Sequence, residues 1–462
     1  GEEEEITGYY TAGFLSKTFW LWLNPLLYKG KRTTLQIKDV PELSPEDKAE
    51  RLYLLFESNW LKIRSSNRKH PVRSTILRSF GWQLASTALI AFVKALSMYV
   101  GPLLIQNFVD FLESDPRYYT EGYMLVFILL FAKFVEVLST HHYQFLSQKL
   151  GMMIRSCLIT SIYRKGLRLS SSSRQSHGVG RIVNYMTVDV QQINDSIVQL
   201  HNTWMLPFQI VIALLILYRE IGISMLAGLA TMVVFGALVS NNSRLLRLYS
   251  LQVMAKKDIR MRATTEVLNY MRSIKLQAWE QYFHKKVEDC RKSEYKCLAK
   301  FQYALASNVT LLTISTSVVS MFTFGTCLVL GTELTAAKVF TVISTFNILS
   351  EPIRTFPQAI ISVSQAFVSL ERLDKYMLSK ELEDHVIRDP QYETKYSIVV
   401  ESGEFTWDEE VPRSILRDIN VKVQPGQLVA IVGTVGAGKS SLLGALLGEM
   451  PKLSGRVMFS SH

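Results

Sequence analysis

GTVGAGKS, residues 433–440, is followed at once by SLLGALLGEM, residues 441–450. The stretch fits G-x-x-x-x-G-K-[ST], the loop that wraps the phosphates of a nucleoside triphosphate. Its surroundings suit the motif. The apolar run Leu428–Val432 of QLVAIVG predicts a strand leading into the loop, and 440–450 predicts a helix leading out of it. The glycines Gly433, Gly436 and Gly438 let backbone N–H groups close around phosphate at a helix N-terminus. Thr434, Val435, Ala437 and Ser441 complete the grip. Lys439 is placed to reach the β and γ oxygens, and the Ser440 hydroxyl to face Mg²⁺. Upstream, SIVVESGEFTW (397–407) and INVKVQPG (419–426) read as two further strands. Trp407 ends the first of them, where an aromatic either stacks on a base or plugs the sheet. KLSGR (452–456) is placed where a hairpin turn is expected.

More than four hundred residues precede this loop, and they are of another character. The chain has 462 residues, 48% of them hydrophobic, with a net charge of +11. Mean hydropathy is +0.14 and the pI about 9.3. Six apolar runs approach the roughly 20 residues that a bilayer core requires. They are 81–111, 123–139, 204–218, 221–240, 304–330 and 336–370, the third needing flanking helix to complete its length. Between them, 112–121, 219–220 and 331–337 are short and poor in Lys and Arg. The other connections are long and basic, from Lys149 to Arg181 and from Arg244 to Lys300. The positive-inside rule places these, and both termini, in the cytosol. That distribution accounts for the positive charge without nucleic acid.

Neither Gly nor Pro occurs between Ala237 and Phe324, so the helices are expected to run on well past the membrane. Two hairpins are then expected to reach into the cytosol, turning at 170–180, rich in Ser and Gly, and near 269–280. Pro102, Pro207, Pro352 and Pro357 lie inside spans, as packing kinks or as bending points. Near the start, 16–43 is aromatic and apolar but too short to span. Phe19, Trp20, Trp22 and Leu23 suit a helix in the membrane interface or, alternatively, a buried one. The acidic run 2–5 reads as a solvated linker. With Gly1 at one end and His462 soon after the loop at the other, the chain reads as a fragment or truncated product.

A charge inside a span is costly and usually faces a cavity or a partner. Lys94, in IAFVKALSMYV, is the leading candidate for meeting an anion; snorkelling or pairing is the alternative. Arg354 is a second candidate, with Glu351 as a competing partner. Trp204, Gln209 and Asn347 either line the same path or pack. His70, His141 and His142 are expected to be solvated. Cys157, Cys290, Cys297 and Cys327 form no metal-ligand spacing and read as reduced thiols.

Taken together, FWLWLNPLLYKG (19–30), VGPLLIQNFVDF (100–111), HGVGRIVNYMTVDVQQI (177–193), LNYMRSIKLQAWE (268–280), FNILSEPIRTFPQAI (346–360), GEFTWDEE (403–410) and the phosphate loop resemble one half of an ATP-binding cassette transporter of subfamily C. The plant members of this multidrug-resistance-associated group look nearest. The resemblance implies the type 1 exporter fold: an N-terminal segment with an elbow helix (1–74), a six-helix membrane domain (75–377), a linker (378–396) and a partial α/β nucleotide-binding domain (397–462). It implies ATP and Mg²⁺ as cofactors, cytosolic knuckles that dock on nucleotide domains, and adenine stacking by Trp407. It also implies export of organic anions such as glutathione conjugates or folates, at the vacuolar or plasma membrane. The second membrane domain, second cassette, signature sequence and catalytic carboxylate of that family are not found here, so hydrolysis by this chain alone is not expected. A channel-regulating subunit and an inactive truncated product are the alternatives.

Overall fold

The computed structural model describes residues 7–66, 68–113, 119–382, 386–388, 396–407 and 414–459. The acidic run 2–5, half of the 112–121 connection, parts of the linker, the end of GEFTWDEE and the last three residues lie outside them. In chain order the helices are α1 (Gly8–Thr11), α2 (Phe14–Thr18), α3 (Asn24–Arg32), α4 (Ala49–Arg64), α5 (Pro71–Glu113), α6 (Tyr119–Arg168), α7 (Ser171–His177) and α8 (Val179–Asn184). They continue as α9 (Val190–Ile221), α10 (Met225–Asn269), α11 (Met271–Leu276), α12 (Glu280–Val329), α13 (Ala336–Met377) and α14 (Lys439–Leu446). The strands are β1 (Val386–Arg388), β2 (Ile398–Phe405), β3 (Leu416–Val423) and β4 (Lys452–Phe459).

Among the described residues, four helical stretches are long and apolar enough to cross a membrane: Pro71–Leu112, Thr120–Arg168, Val179–Asn269 and Glu280–Val329. The third and fourth apolar runs of the sequence share the 91-residue stretch, in which α9 and α10 are joined by one 3-10 turn at Gly222–Ser224. The α13 helix forms but is not among the four, because Glu351 and Arg354 interrupt its apolar run. Pro102, Pro207, Pro352 and Pro357 all sit within continuous helix.

The chain divides into two compact units. Unit 1 comprises Gly1–Thr87, Gln144–Gln199 and Ser362–His462. Its main core is built from stripes. Leu150, Ile154, Leu158 and Ile162 recur every four residues, which places them on one face of α6. They meet Phe56 and Trp60 of α4, Ile76 and Phe80 of α5, Ile193 and Ile197 of α9, and Leu373 and Tyr376 of α13. Asp189, only 2% exposed, closes a π turn before α9. Its carboxylate accepts from Ser369 Oγ at 2.8 Å and Arg372 Nη1 at 3.2 Å. A buried carboxylate needs such partners.

The aromatic N-terminal stretch is not one helix. It breaks at Trp20, whose backbone is left-handed (φ 60°), and Trp20 packs edge-on against Phe145 at 4.7 Å. Phe14, Leu15, Leu21, Leu27 and Tyr28 remain exposed. His70 is not simply solvated, since Nδ1 lies 3.5 Å from Asp374 Oδ2.

Unit 1 also holds a four-stranded sheet of order β1-β4-β2-β3, with β4 parallel to β1 and antiparallel to β2. Val400, Phe405, Leu416 and Val457 of this sheet pack with Ala445 of α14 and Met450. KLSGR is not a hairpin turn but the first half of β4. Gly455, at φ 88°, lies in a bulge opposite Ser402 and Gly403. The polar linker contributes β1.

Unit 2 comprises Ala88–Tyr143 and Leu200–Ile361. Here α10 and α12 run side by side: Asn242 donates to Ala304 O (3.1 Å), Arg260 pairs with Glu294 (2.5 Å) and Lys286 with Glu266 (3.0 Å). These positions converge on α11, the knuckle expected at 269–280. With no glycine available, Ala278 takes the left-handed conformation there, φ 54°.

Candidate functional site

The phosphate loop lies in unit 1, between β3 and α14. Two of its glycines carry the left-handed backbone the turn requires, Gly436 at φ 90° and Gly438 at φ 87°. A side chain at Gly438 would also crowd Leu416 Cδ2, at 3.3 Å. Ala437 N donates to Thr434 O at 3.2 Å, closing the loop on itself. Gly433, Thr434, Val435, Gly436 and Ala437 are exposed. Lys439 begins α14 and folds back over the loop. Its Nζ donates to Gly433 O at 2.9 Å and Thr434 O at 2.7 Å. Ser440, in the first turn of α14, is exposed. An exposed glycine-rich turn with a lysine and a serine at the head of a helix holds the residue types that receive a polyphosphate.

One expectation fails here. Leu428–Val432 is not a strand, and its side chains are exposed, Leu428 by 97% and Val432 by 87%. A strand exists only through hydrogen bonds to a neighbour, and a parallel one within an α/β sheet has neighbours on its flanks. No described segment pairs with these residues.

Trp407 is brought to the same helix. Its Nε1 donates to Ser441 Oγ at 3.1 Å, and its ring edge lies so close to Gly444 that a Cβ there would meet it at 3.1 Å. Trp407 therefore packs on α14 while standing within a turn of the phosphate loop.

In unit 2, Lys94 of α5 is half-buried with Nζ 5.7 Å from the ring centroid of Tyr143. Tyr143 meets His201 edge-to-face at 5.9 Å, and His201 meets Trp204 at 6.0 Å. Trp204 Nε1 donates to His201 Nδ1 at 3.1 Å. An indole is a donor only, so this bond keeps Nδ1 unprotonated. Tyr99 donates to the backbone of Gln209 at 3.1 Å, tying α5 to α9. Thus Lys94 and Trp204 belong to one ladder, and Gln209 is one turn or more beyond it. Asn347 is exposed on α13. Arg354 lies 3.7 Å from Glu351 in an exposed pair one turn apart.

Residues 84–353 match the ABC transporter transmembrane region family, and residues 416–462 match the ABC transporter domain family. The chain belongs to the ABC transporter family. It is an integral membrane protein whose nucleotide-domain match, together with the loop geometry, implies ATP binding. The chain is similar to plant members of subfamily C. It is 40% identical over 456 residues to ABC transporter C family member 5 of Arabidopsis thaliana, covering 98% of this chain and 30% of that protein. It is 40% identical over 458 residues to ABC transporter C family MRP4 of Zea mays, and 38% over 456 residues to ABC transporter C family member 3 of Arabidopsis thaliana, with the same coverages. The chain thus spans about 30% of the length of these relatives.

Within this ABC membrane region, sequence reading missed Tyr143 and His201. Both are near-fully buried, at 6% and 4% exposure, and they connect Lys94 to Trp204. His201 lies among polar residues of α9, Gln199, Asn202 and Thr203 beside it, so no local pattern set it apart.

Proposed function

We propose that this chain supplies one membrane half and the phosphate grip of an ATP-driven exporter of organic anions working by alternating access. The carrying observation is the GTVGAGKS loop, closed by left-handed glycines at the head of α14, in the same chain as apolar helices that hold Lys94 half-buried. The domains run 1–74, 75–377, 378–396 and 397–462, with six helices (α5, α6, α9, α10, α12, α13) as the spans. ATP takes the place of the carbonyls on Lys439, Ser440 offers its hydroxyl to Mg²⁺, and Trp407 stacks on adenine. Ser440 would hold Mg²⁺ beside the triphosphate, and the ion would supply charge neutralisation there. A second membrane domain and second cassette come from outside these 462 residues. The second cassette faces the same nucleotide, so this chain alone binds ATP without turning it over. The closing of the cassettes moves the knuckles and turns the membrane cavity outward. Anionic conjugates, glutathione conjugates among them, meet Lys94, and the membrane is vacuolar or plasma membrane.

Two measurements test this. Labelled ATP should bind the purified chain and be lost in Lys439→Ala. ATP-dependent uptake of a glutathione conjugate into inverted vesicles should appear when the chain is joined to both cassettes, and not with the chain alone. ATP binding without uptake in the joined form would favour a channel-regulating role.

A further inference from the structure

The indole of Trp407 is held at two points by one face of α14. Ser441 and Gly444 stand three residues apart on that helix and so share a face. Ser441 Oγ accepts from the indole Nε1–H at 3.1 Å. An indole has only this one polar group, and a half-buried one needs a partner for it. At the other end of the ring, Gly444 is buried; a Cβ placed there would meet Cη2 at 3.1 Å and Cζ2 at 3.3 Å. The glycine is thus the seat for the benzo edge, and the hydroxyl fixes the pyrrole edge.

The backbone that carries the ring is fixed as well. Phe405, 2% exposed, lies in the core between the sheet and α14, and Thr406 N donates to Pro451 O at 3.1 Å. With the backbone before it held by the sheet and both ring edges held by α14, Trp407 has little rotamer freedom left. A side chain ordered before its ligand arrives spares the complex that entropy cost. Ser441 directly follows Lys439 and Ser440, so the turn that grips phosphate also sets the ring.

We propose that Ser441 and Gly444 are positioning residues that act through Trp407 to favour a base-bearing triphosphate over a bare one, a role that rests on Trp407 stacking on adenine. Stacking depends on the angle and offset of the two rings, so a ring free to turn loses part of it. The Ser441 hydroxyl, expected from the sequence to complete the phosphate grip, here serves the base side of the site.

The test titrates ATP and inorganic tripolyphosphate, each with Mg²⁺, into the whole chain in nanodiscs by calorimetry, counting only binding that Lys439→Ala abolishes. The readout is the ratio of the two affinities, in which any loss common to both ligands cancels. Ser441→Ala should lower the preference for ATP about fivefold, the scale of one hydrogen bond. Ser441→Thr, which keeps the hydroxyl, should keep the preference. Gly444→Ala, which moves the ring off its seat, should lower it. In Trp407→Phe, which keeps a ring but has no N–H, adding Ser441→Ala should change the ratio no further. Tripolyphosphate binding in each variant reports that the loop is folded. An unchanged preference in Ser441→Ala, or the same loss in the Trp407→Phe background, overturns the proposal. Trp407→Leu separates it from the stacking reading. A parental preference in Trp407→Leu refutes stacking, and the proposal with it; a lowered one beside a parental value in Ser441→Ala refutes the positioning role alone.

Discussion

Asp374, near the end of α13, accepts a 2.8 Å hydrogen bond from the backbone N–H of Val72, at the start of α5, 302 residues away in sequence. The first N–H groups of a helix have no partner inside it, and a carboxylate there also meets the favourable end of the helix dipole. Asp374 thus caps one long helix from another, with His70 beside it. Removing it in Asp374→Ala should cost about 1–2 kcal/mol. Hydrogen exchange should accelerate at residues 72–75 first, and Asp374→Asn, which keeps an acceptor, should lose less. Unchanged exchange in the Ala variant would refute the capping role.

His177 offers a pH-dependent contact. Its Nε2 lies 2.8 Å from Ser379 Oγ and its Nδ1 3.3 Å from Tyr185 Oη, with Tyr376 edge-on at 5.3 Å. Burial holds its pKa below the ordinary 6.5, and Arg181 adds to the effect. The unfolded chain then binds the proton more readily. The stabilisation is complete above about pH 6.5 and is lost as pH falls through the lowered value. Melting temperature should drop more in the parent than in His177→Gln between about pH 7.5 and about pH 5.5. Equal drops would show that His177 titrates alike in both states.

At Gly455 the close approach is to backbone. The residue has φ 88°, and a Cβ there would overlap the carbonyl of Ser402 in the neighbouring strand. Gly455→Ala should destabilise the sheet by about 2 kcal/mol or more. Limited proteolysis within 397–459 is the readout, with Ser454→Ala as the comparison. Equal resistance in the two variants would mean the bulge relaxes without cost.

The Lys94 ladder predicts a graded series. Lys94→Ala should reduce affinity for an anionic conjugate by about tenfold or more, since a hydrogen bond to a charged group contributes about 1.5–3 kcal/mol. Lys94→Arg should keep part of it. Tyr143→Leu removes the ring beside the ammonium without removing charge, so it should raise KM with kcat little changed. Vesicle uptake in the joined form measures all three, and wild-type kinetics in Lys94→Ala would remove Lys94 from the path.

Much of this was legible in order along the chain because the signals are local. Gly436, Gly438 and Lys439 carry the phosphate loop within a few residues, and the turn they make depends on little outside it. The long helices through 237–324 follow from the absence of Gly and Pro. The same local logic failed at Leu428–Val432, where composition favours a strand but a strand also requires a neighbour.

The sequence by itself determined the nucleotide loop, the apolar helices and the turn near 269–280, since each is written in spacing and composition, and its quoted stretches carried the resemblance to a transporter family. Only the tertiary structure decided that Asp374 caps α5, that Ser379 meets His177, that Glu381 is engaged by Lys165, and that Tyr143 and His201 join Lys94 to Trp204. Apart from His201 and Trp204, one turn apart on α9, those partners lie tens to hundreds of residues apart. Hydrogen bonds and ring contacts depend on distance in space, and that distance is set by how the helices pack.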